Sequence, residues 1–113
     1  MVTSYTPDYG DVVWVFLDPI IGHEQFDRQP AIVISQKDFS THTSLAIICP
    51  ITSKSKGLPF EIIYNGNSVK GAVLPIHAKS LDWVARKVKF IEKAPKELTD
   101  TVAESVGAII GLD

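Results

Sequence analysis

The stretch Leu45-Ala-Ile-Ile-Cys-Pro-Ile51 runs seven residues without a charge or a hydroxyl. It lies between Ser44 and Thr52. An apolar run this short, bounded by polar residues, reads as a strand buried on both faces. Further strand candidates surround it. Asp11 to Leu17 (DVVWVFL) is β-branched and aromatic and is closed by Asp18-Pro19. Ala31 to Ser35 (AIVIS) follows Pro30, and Phe60 to Tyr64 (FEIIY) alternates before the turn pair Asn65-Gly66. Gly71 to Leu74 and Arg86 to Ile91 are two shorter candidates. After Pro95 the period changes. Leu98, Val102, Val106, Ile109 and Ile110 recur at helical spacing, with Glu97 and Asp100 in the first turn and Gly111 able to end the helix. Short strands at this spacing suggest a barrel or a sandwich. The pattern as a whole predicts a mainly β chain, a small β-barrel closed by one C-terminal helix.

Length and composition fit that picture. At 113 residues a single domain over 1–113 is expected. Hydrophobic residues make up 45% and charged residues 21%, ordinary globular values that argue against disorder. No apolar run approaches the ~20 residues of a membrane helix. Met1 to Gly10 has neither the basic nor the apolar region of a signal peptide, so a cytoplasmic protein is expected. The single cysteine excludes an internal disulfide and a cysteine-based zinc site. The net charge of -2 conceals an asymmetry. All 11 basic residues fall between Arg28 and Lys96, a segment of charge +7, whereas the flanking segments carry -9. Such a cationic middle can present a local basic face on an acidic protein.

Two loops stand out as places to mount chemistry on a rigid barrel. Asp18 to Gln29 is long for a hairpin connection and holds His23, Glu24, Phe26 and Arg28. Thr52 to Leu58 (TSKSKGL) is short, polar and basic. No phosphate-binding glycine loop, zinc-protease helix or serine-hydrolase elbow occurs. No cofactor is implied, and His23-Glu24 lacks a second ligand at helical spacing, so no metal is expected. Cys49 sits inside the apolar run and reads as a small core residue. The two loops suit a phosphodiester better. Metal-free RNA cleavage needs a base for the 2′-OH, an acid for the leaving oxygen, and donors for the phosphorane charge. Glu, His, Arg, Thr and Lys can fill those roles, although as a bare pattern these remain ordinary polar loop residues.

Ordered motifs along nearly the whole chain sharpen the reading. They begin with Pro7-x-x-Gly10-Asp11-x-x-Trp14-Val15, Asp18-Pro19-x-x-Gly22-x-Glu24-Gln25 and Pro30-Ala31-x-Val33-x-Ser35. They continue with Pro50-x-Thr52-x-x-Ser55-Lys56-Gly57-x-Pro59-Phe60-Glu61, Gly71-x-x-Leu74, Lys79-Ser80-x-x-Trp83-x-x-Arg86 and Ala94-Pro95-x-Glu97. Together they resemble the MazF/PemK toxins, the endoribonuclease halves of type II toxin–antitoxin pairs. The resemblance implies an SH3-like barrel of the CcdB/PemK kind, a homodimer, and sequence-specific, metal-independent cleavage of single-stranded RNA (mRNA). It also implies a cognate antitoxin whose disordered segment lies over the RNA groove. Trp14 and the run Leu45 to Ile51 are expected to bury surface against the second copy.

One departure from the family pattern bears on catalysis. The family's arginine stands directly before the proline, where this chain has Gln29, and Arg28 is displaced by one residue. Glutamine donates hydrogen bonds but carries no charge. One residue of offset in an extended segment sends a side chain to the opposite face. Thr52, the family's other catalytic residue, is in place. Glu24 and His77 are the proton-transfer candidates. Lys54, Lys56, Lys79 and Arg86 are expected to contact RNA, and Phe26 either stacks a base or caps the barrel. Trp14 and Trp83 read as packing residues, and His42 as an exposed loop residue. Three functions stay open: an active endoribonuclease, an impaired member that still binds RNA or antitoxin, and a protein-binding module like the gyrase-poisoning toxins of the same fold.

Overall fold

The computed structural model describes residues 5–16, 28–55 and 57–112. Seven strands form one curled antiparallel sheet: β1 (Asp11–Phe16), β2 (Arg28–Val33), β3 (Leu45–Thr52), β4 (Ile62–Asn65), β5 (Lys70–Val73), β6 (Lys79–Asp82) and β7 (Lys89–Lys93). Helix α1 (Lys37–Thr43) lies between β2 and β3, and α2 (Lys96–Ile109) follows β7. The strand order is β4-β5-β3-β2-β1-β7, with β6 also paired to β3. The sheet curls into a half-barrel, and α2 packs against one of its faces.

Period-two alternation produces two cores from the same strands. Val12, Ile32, Cys49 and Ile51 enter the first, with Tyr64 and Val73 from the hairpin, and Leu98, Val102 and Val106 of α2 pack there. Val13, Val15, Ala31, Val33, Ala46 and Ile48 enter the second, joined by Leu81 and the half-buried Trp83. The central strands are therefore buried on both faces, which accounts for the apolar run at β3. Each fully buried Val or Ile contributes about 1.5–3 kcal/mol by leaving water. This packing also corrects one expectation: Ala46, Ile48, Cys49 and Ile51 are buried within a single chain and offer no face to a second copy. The exposed apolar residues lie elsewhere, among them Phe60, Ile63, Phe90, Ile110 and Leu112. The helical face read from the sequence outruns the barrel, for Ile109 and Ile110 are 42% and 65% exposed.

Other boundaries moved for local reasons. His42 is expected in a loop, but Lys37–Thr43 is helical. Only Ser40 of that helix is buried, so it has no apolar face to reveal it. Side chains hold it instead: Thr43 Oγ1 donates to the Phe39 carbonyl at 2.6 Å, and His42 Nδ1 lies 2.8 Å from the Asp38 carbonyl. The β6 strand escaped notice because Leu81 alone of its residues is buried. Arg86 and Lys87, expected in a strand, form a turn, and β7 starts at Lys89.

Polar groups close what backbone pairing leaves open. Glu92 of β7 accepts from the Tyr64 hydroxyl of β4 at 2.6 Å and from the Ser68 amide at 2.8 Å. It thereby ties one end of the sheet to the β4–β5 hairpin. Gly66 lies against this contact, where a Cβ would overlap both the Glu92 carboxylate and the Tyr64 hydroxyl. On the next residue of β7, Lys93 pairs with buried Asp11 at 2.8 Å, and Asp11 also accepts from the Tyr5 hydroxyl at 2.5 Å. Burial opposes ionisation of Glu92, but the Tyr64 hydroxyl and the amides of Ser68, Val69 and Asn67 outweigh it and hold its pKa below the usual carboxylate value. Its contribution is therefore present above the unfolded-state value of about 4.3 and lost as pH falls through the folded one. Glu92→Gln should lower the unfolding free energy by about 1–3 kcal/mol in urea at neutral pH. It should also flatten the decline in stability on acidification. An unchanged urea midpoint would show that this carboxylate does not close the sheet.

Candidate active-site groove

Thr52 ends β3, and its pairing with Ala72 of β5 brings the β4–β5 hairpin alongside. On the opposite edge of β3, Ala31 of β2 pairs with Pro50. Carrying that register two residues further sets Gln29 beside Thr52. The Gln29 side-chain nitrogen lies 3.5 Å from the Ile51 carbonyl, a long contact. In β1, Phe16 pairs with Arg28, Val15 with Gln29 and Trp14 with Pro30. The Arg28 guanidinium carbon stands 4.4 Å from the centre of the Trp14 ring.

Of these, Trp14, Arg28, Gln29, Pro30, Ile51 and Thr52 border one open groove of about 470 Å³, to which the hairpin adds Ser68, Val69 and Lys70. Arg28 and Lys70 are its charged lining, and no carboxylate or imidazole lines it among the described residues. The structure therefore places Thr52, Arg28 and Gln29 along one groove. It adds Trp14, which the sequence reading assigned to packing, and Lys70, which was not singled out. Lys70 carries no sequence signal, because only the β3–β5 pairing places it near Thr52.

The segment after Thr52 is folded back on itself. The Lys54 amide donates to Thr52 Oγ1 at 3.4 Å. Glu61 accepts from the Ser55 hydroxyl at 2.5 Å and the Leu58 amide at 3.1 Å. Lys54 is exposed beside the groove. Lys56, Glu24 and Phe26 lie outside the described residues.

Lys79 and Arg86 share a second hollow with Ser80 and Asp82. Lys79 pairs with Ile48, four residues before Thr52 on β3, or roughly 13 Å along the strand. Arg86 has a structural task as well: its Nη1 donates to the Phe16 carbonyl at 3.3 Å, and its own carbonyl accepts from the Phe16 amide at 3.4 Å. It secures the end of β1 where the long loop departs. His77 is exposed on a 3₁₀ turn, Pro75–His77, and does not line the Thr52 groove. Burial pushes the Cys49 thiol up to about 12, consistent with an inert core residue. Trp83 donates its indole N–H to the Ser40 carbonyl at 3.0 Å, a packing role. Among the described residues no three His, Cys, Asp or Glu side chains gather. No helix among them is long and apolar enough to cross a membrane.

A half-barrel carrying a cationic groove at the end of its central strand matches proteins already known. Residues 8–110 match the family model described as PemK-like, MazF-like toxin of type II toxin-antitoxin system. The chain is 38% identical over 112 residues to the endoribonuclease toxin MazF of Escherichia coli K12, covering 98% of this chain and 100% of that one. The MazF of a MazE–MazF complex from Deinococcus radiodurans superposes with a TM-score of 0.89 at 38% identity, covering 97% of this chain and 100% of that one. Free MazF from the same organism gives a TM-score of 0.86, also at 38% identity, with 96% and 100% covered. The chain belongs to the PemK/MazF family of type II toxins.

Glu61 is the residue that shapes the loop after Thr52. Glu61→Ala should therefore speed tryptic cleavage after Lys54 several-fold while moving the global melting temperature by about 5 °C or less. An unchanged rate of nicking would show that the loop keeps its form without this carboxylate.

Proposed function

We propose that this chain is a single-domain endoribonuclease toxin that cleaves single-stranded RNA in the cytoplasm, selectively for a short sequence and without metal. The observation that carries the reading is the groove that joins Thr52 to Arg28 and Lys70 with no acidic residue among its described lining. In the proposed reaction the 2′-oxygen attacks the adjacent phosphorus and the bond to the 5′-oxygen breaks. The products are a 2′,3′-cyclic phosphate and a 5′-hydroxyl. Thr52 and Arg28 donate to the phosphorane oxygens, where negative charge accumulates. Glu24 takes the 2′-OH proton. It belongs to the loop whose ends, Phe16 and Arg28, pair with each other beside the groove. His77, exposed on its turn, is the weaker candidate for returning a proton to the leaving oxygen. Lys54, Lys56, Lys79 and Arg86 supply phosphate contacts along the strand, and Phe26 a base contact. A cognate antitoxin is the protein partner, in line with the MazE–MazF structure of the Deinococcus relative, and it would cover this cationic face. The working form is a homodimer whose interface draws on the exposed apolar residues outside β3.

Gln29 favours a second reading, a member with weakened catalysis that retains RNA and antitoxin binding. An uncharged amide stands beside Thr52 where the family pattern has a cation. Three proteins separate the two readings: the chain as given, Gln29→Arg and Arg28→Ala. Gln29→Arg should raise cleavage of a single-stranded RNA by up to about 10²–10³, the usual worth of one well-placed charge stabiliser. Arg28→Ala should reduce it. If neither substitution alters a robust activity, the arginine argument is wrong and His77 is the next residue to substitute.

Cleavage should proceed undiminished in EDTA and leave 2′,3′-cyclic phosphate ends, read by mass spectrometry of a short oligonucleotide. Activity that stops in EDTA and returns with magnesium would overturn the proposed chemistry.

A further inference from the structure

The one-residue displacement of the arginine has a structural counterpart in β1. In the β1–β2 register Phe16 faces Arg28 and Trp14 faces Pro30, so Trp14 and Arg28 are diagonal neighbours on one face. Gln29 faces Val15 and has the opposite parity. The Arg28 guanidinium rests over the Trp14 ring at 4.4 Å, within cation–π range. We propose that Trp14 is the positioning residue for Arg28, and that this pair supplies the groove's phosphate-facing cation in place of the arginine missing at position 29. The proposal rests on the groove being the RNA site.

The chemistry of the support matters. A carboxylate partner would hold Arg28 but neutralise it and occupy its donors. An aromatic face attracts the cation through its quadrupole while leaving the charge and the in-plane N–H groups available to a phosphate. Among the described residues no carboxylate forms an ion pair with Arg28. Arg28 is exposed, and both it and half-buried Trp14 line the groove that contains Thr52. Without the ring, a long side chain that shares the groove with Lys70 would lose its fixed direction. Restricting the rotamers of Arg28 before substrate arrives lowers the entropy cost of its phosphate contact.

The test is a double-mutant cycle of Trp14→Leu and Arg28→Ala, with Trp14→Phe as the conservative variant. It is read in three ways on the full chain. First, the side-chain protons of Arg28 should be shifted upfield by the ring current in NMR spectra, and Trp14→Leu should remove the shift. This readout needs no RNA. Second, the Kd for a short oligonucleotide carrying 2′-deoxyribose at the scissile position should rise about three- to thirty-fold in Trp14→Leu. Third, kcat for the all-ribose strand should fall at least as much. Trp14→Phe should keep most of both, and Trp14→Leu should add little once Arg28 is already alanine. Equal losses from Trp14→Leu with and without Arg28 would overturn the proposal and make Trp14 a packing or base-stacking residue. Absence of the upfield shift would overturn it outright. If the upfield shift is seen but the chain neither binds nor cleaves RNA, the RNA reading of the groove fails and the catalytic claim fails with it, leaving the pairing as structure alone.

Discussion

Strand β3 changes partner halfway along one edge, and Pro50 sits at the change. Its first half, Leu45 to Ile48, pairs with β6, and its last two residues, Ile51 and Thr52, pair with β5. Proline has no N–H to give to a ladder, so it is costly inside a central strand unless it sits where pairing lapses. The Pro50 carbonyl still accepts from the Leu74 amide at 2.9 Å, on the edge that faces β5 and β6. The missing donor therefore falls between the end of β5, at Val73, and the start of β6, at Lys79. From that junction the β4–β5 hairpin reaches β7 through the Tyr64–Glu92 bond, and the gap at the end of β3 is the groove that the hairpin shares with β2. Thr52 stands at the mouth of that gap.

The polar contacts serve the same geometry. Glu92 fastens the far side of the hairpin to β7, Asp11 fastens the opening segment to Lys93, and Glu61 folds the segment that follows Thr52. Several carboxylates of this acidic protein are thus occupied in structural bonds away from the groove. The cations Arg28 and Lys70 remain in the groove itself. A chain of net charge -2 can in this way show a positive face to a polyanion, since the field at a cleft depends on local arrangement more than on the total.

Family membership and the groove together explain why position 29 carries so much weight. An arginine there would stand beside Thr52 by the β2–β3 register. In this chain the cation comes from the neighbouring position, whose side chain leaves β2 on the side of Trp14. The two side chains leave β2 in opposite directions but border the same groove, and the aromatic ring under Arg28 becomes part of the electrostatics of the site.

Much of the fold was legible in the residues. Apolar runs marked β1, β2 and β3, the Asn65-Gly66 pair marked the hairpin, and the spacing after Pro95 marked α2, because burial on one or two faces imposes a period that a sequence displays. Helix α1 and strand β6 were not legible, since they bury one side chain each and their periods leave no trace. Thr52, Gln29 and Arg28 could be named from ordered motifs. What only the tertiary structure decided was company: that β3 is covered within its own chain, that Lys70 joins Thr52 in one groove once β5 pairs with β3, that Arg86 braces Phe16, that His77 lies off the Thr52 groove, and that Trp14 carries Arg28. Those relations link residues far apart in the chain through register and curl. A one-residue change in register would have reversed every face, and no local pattern encodes which register long-range packing selects.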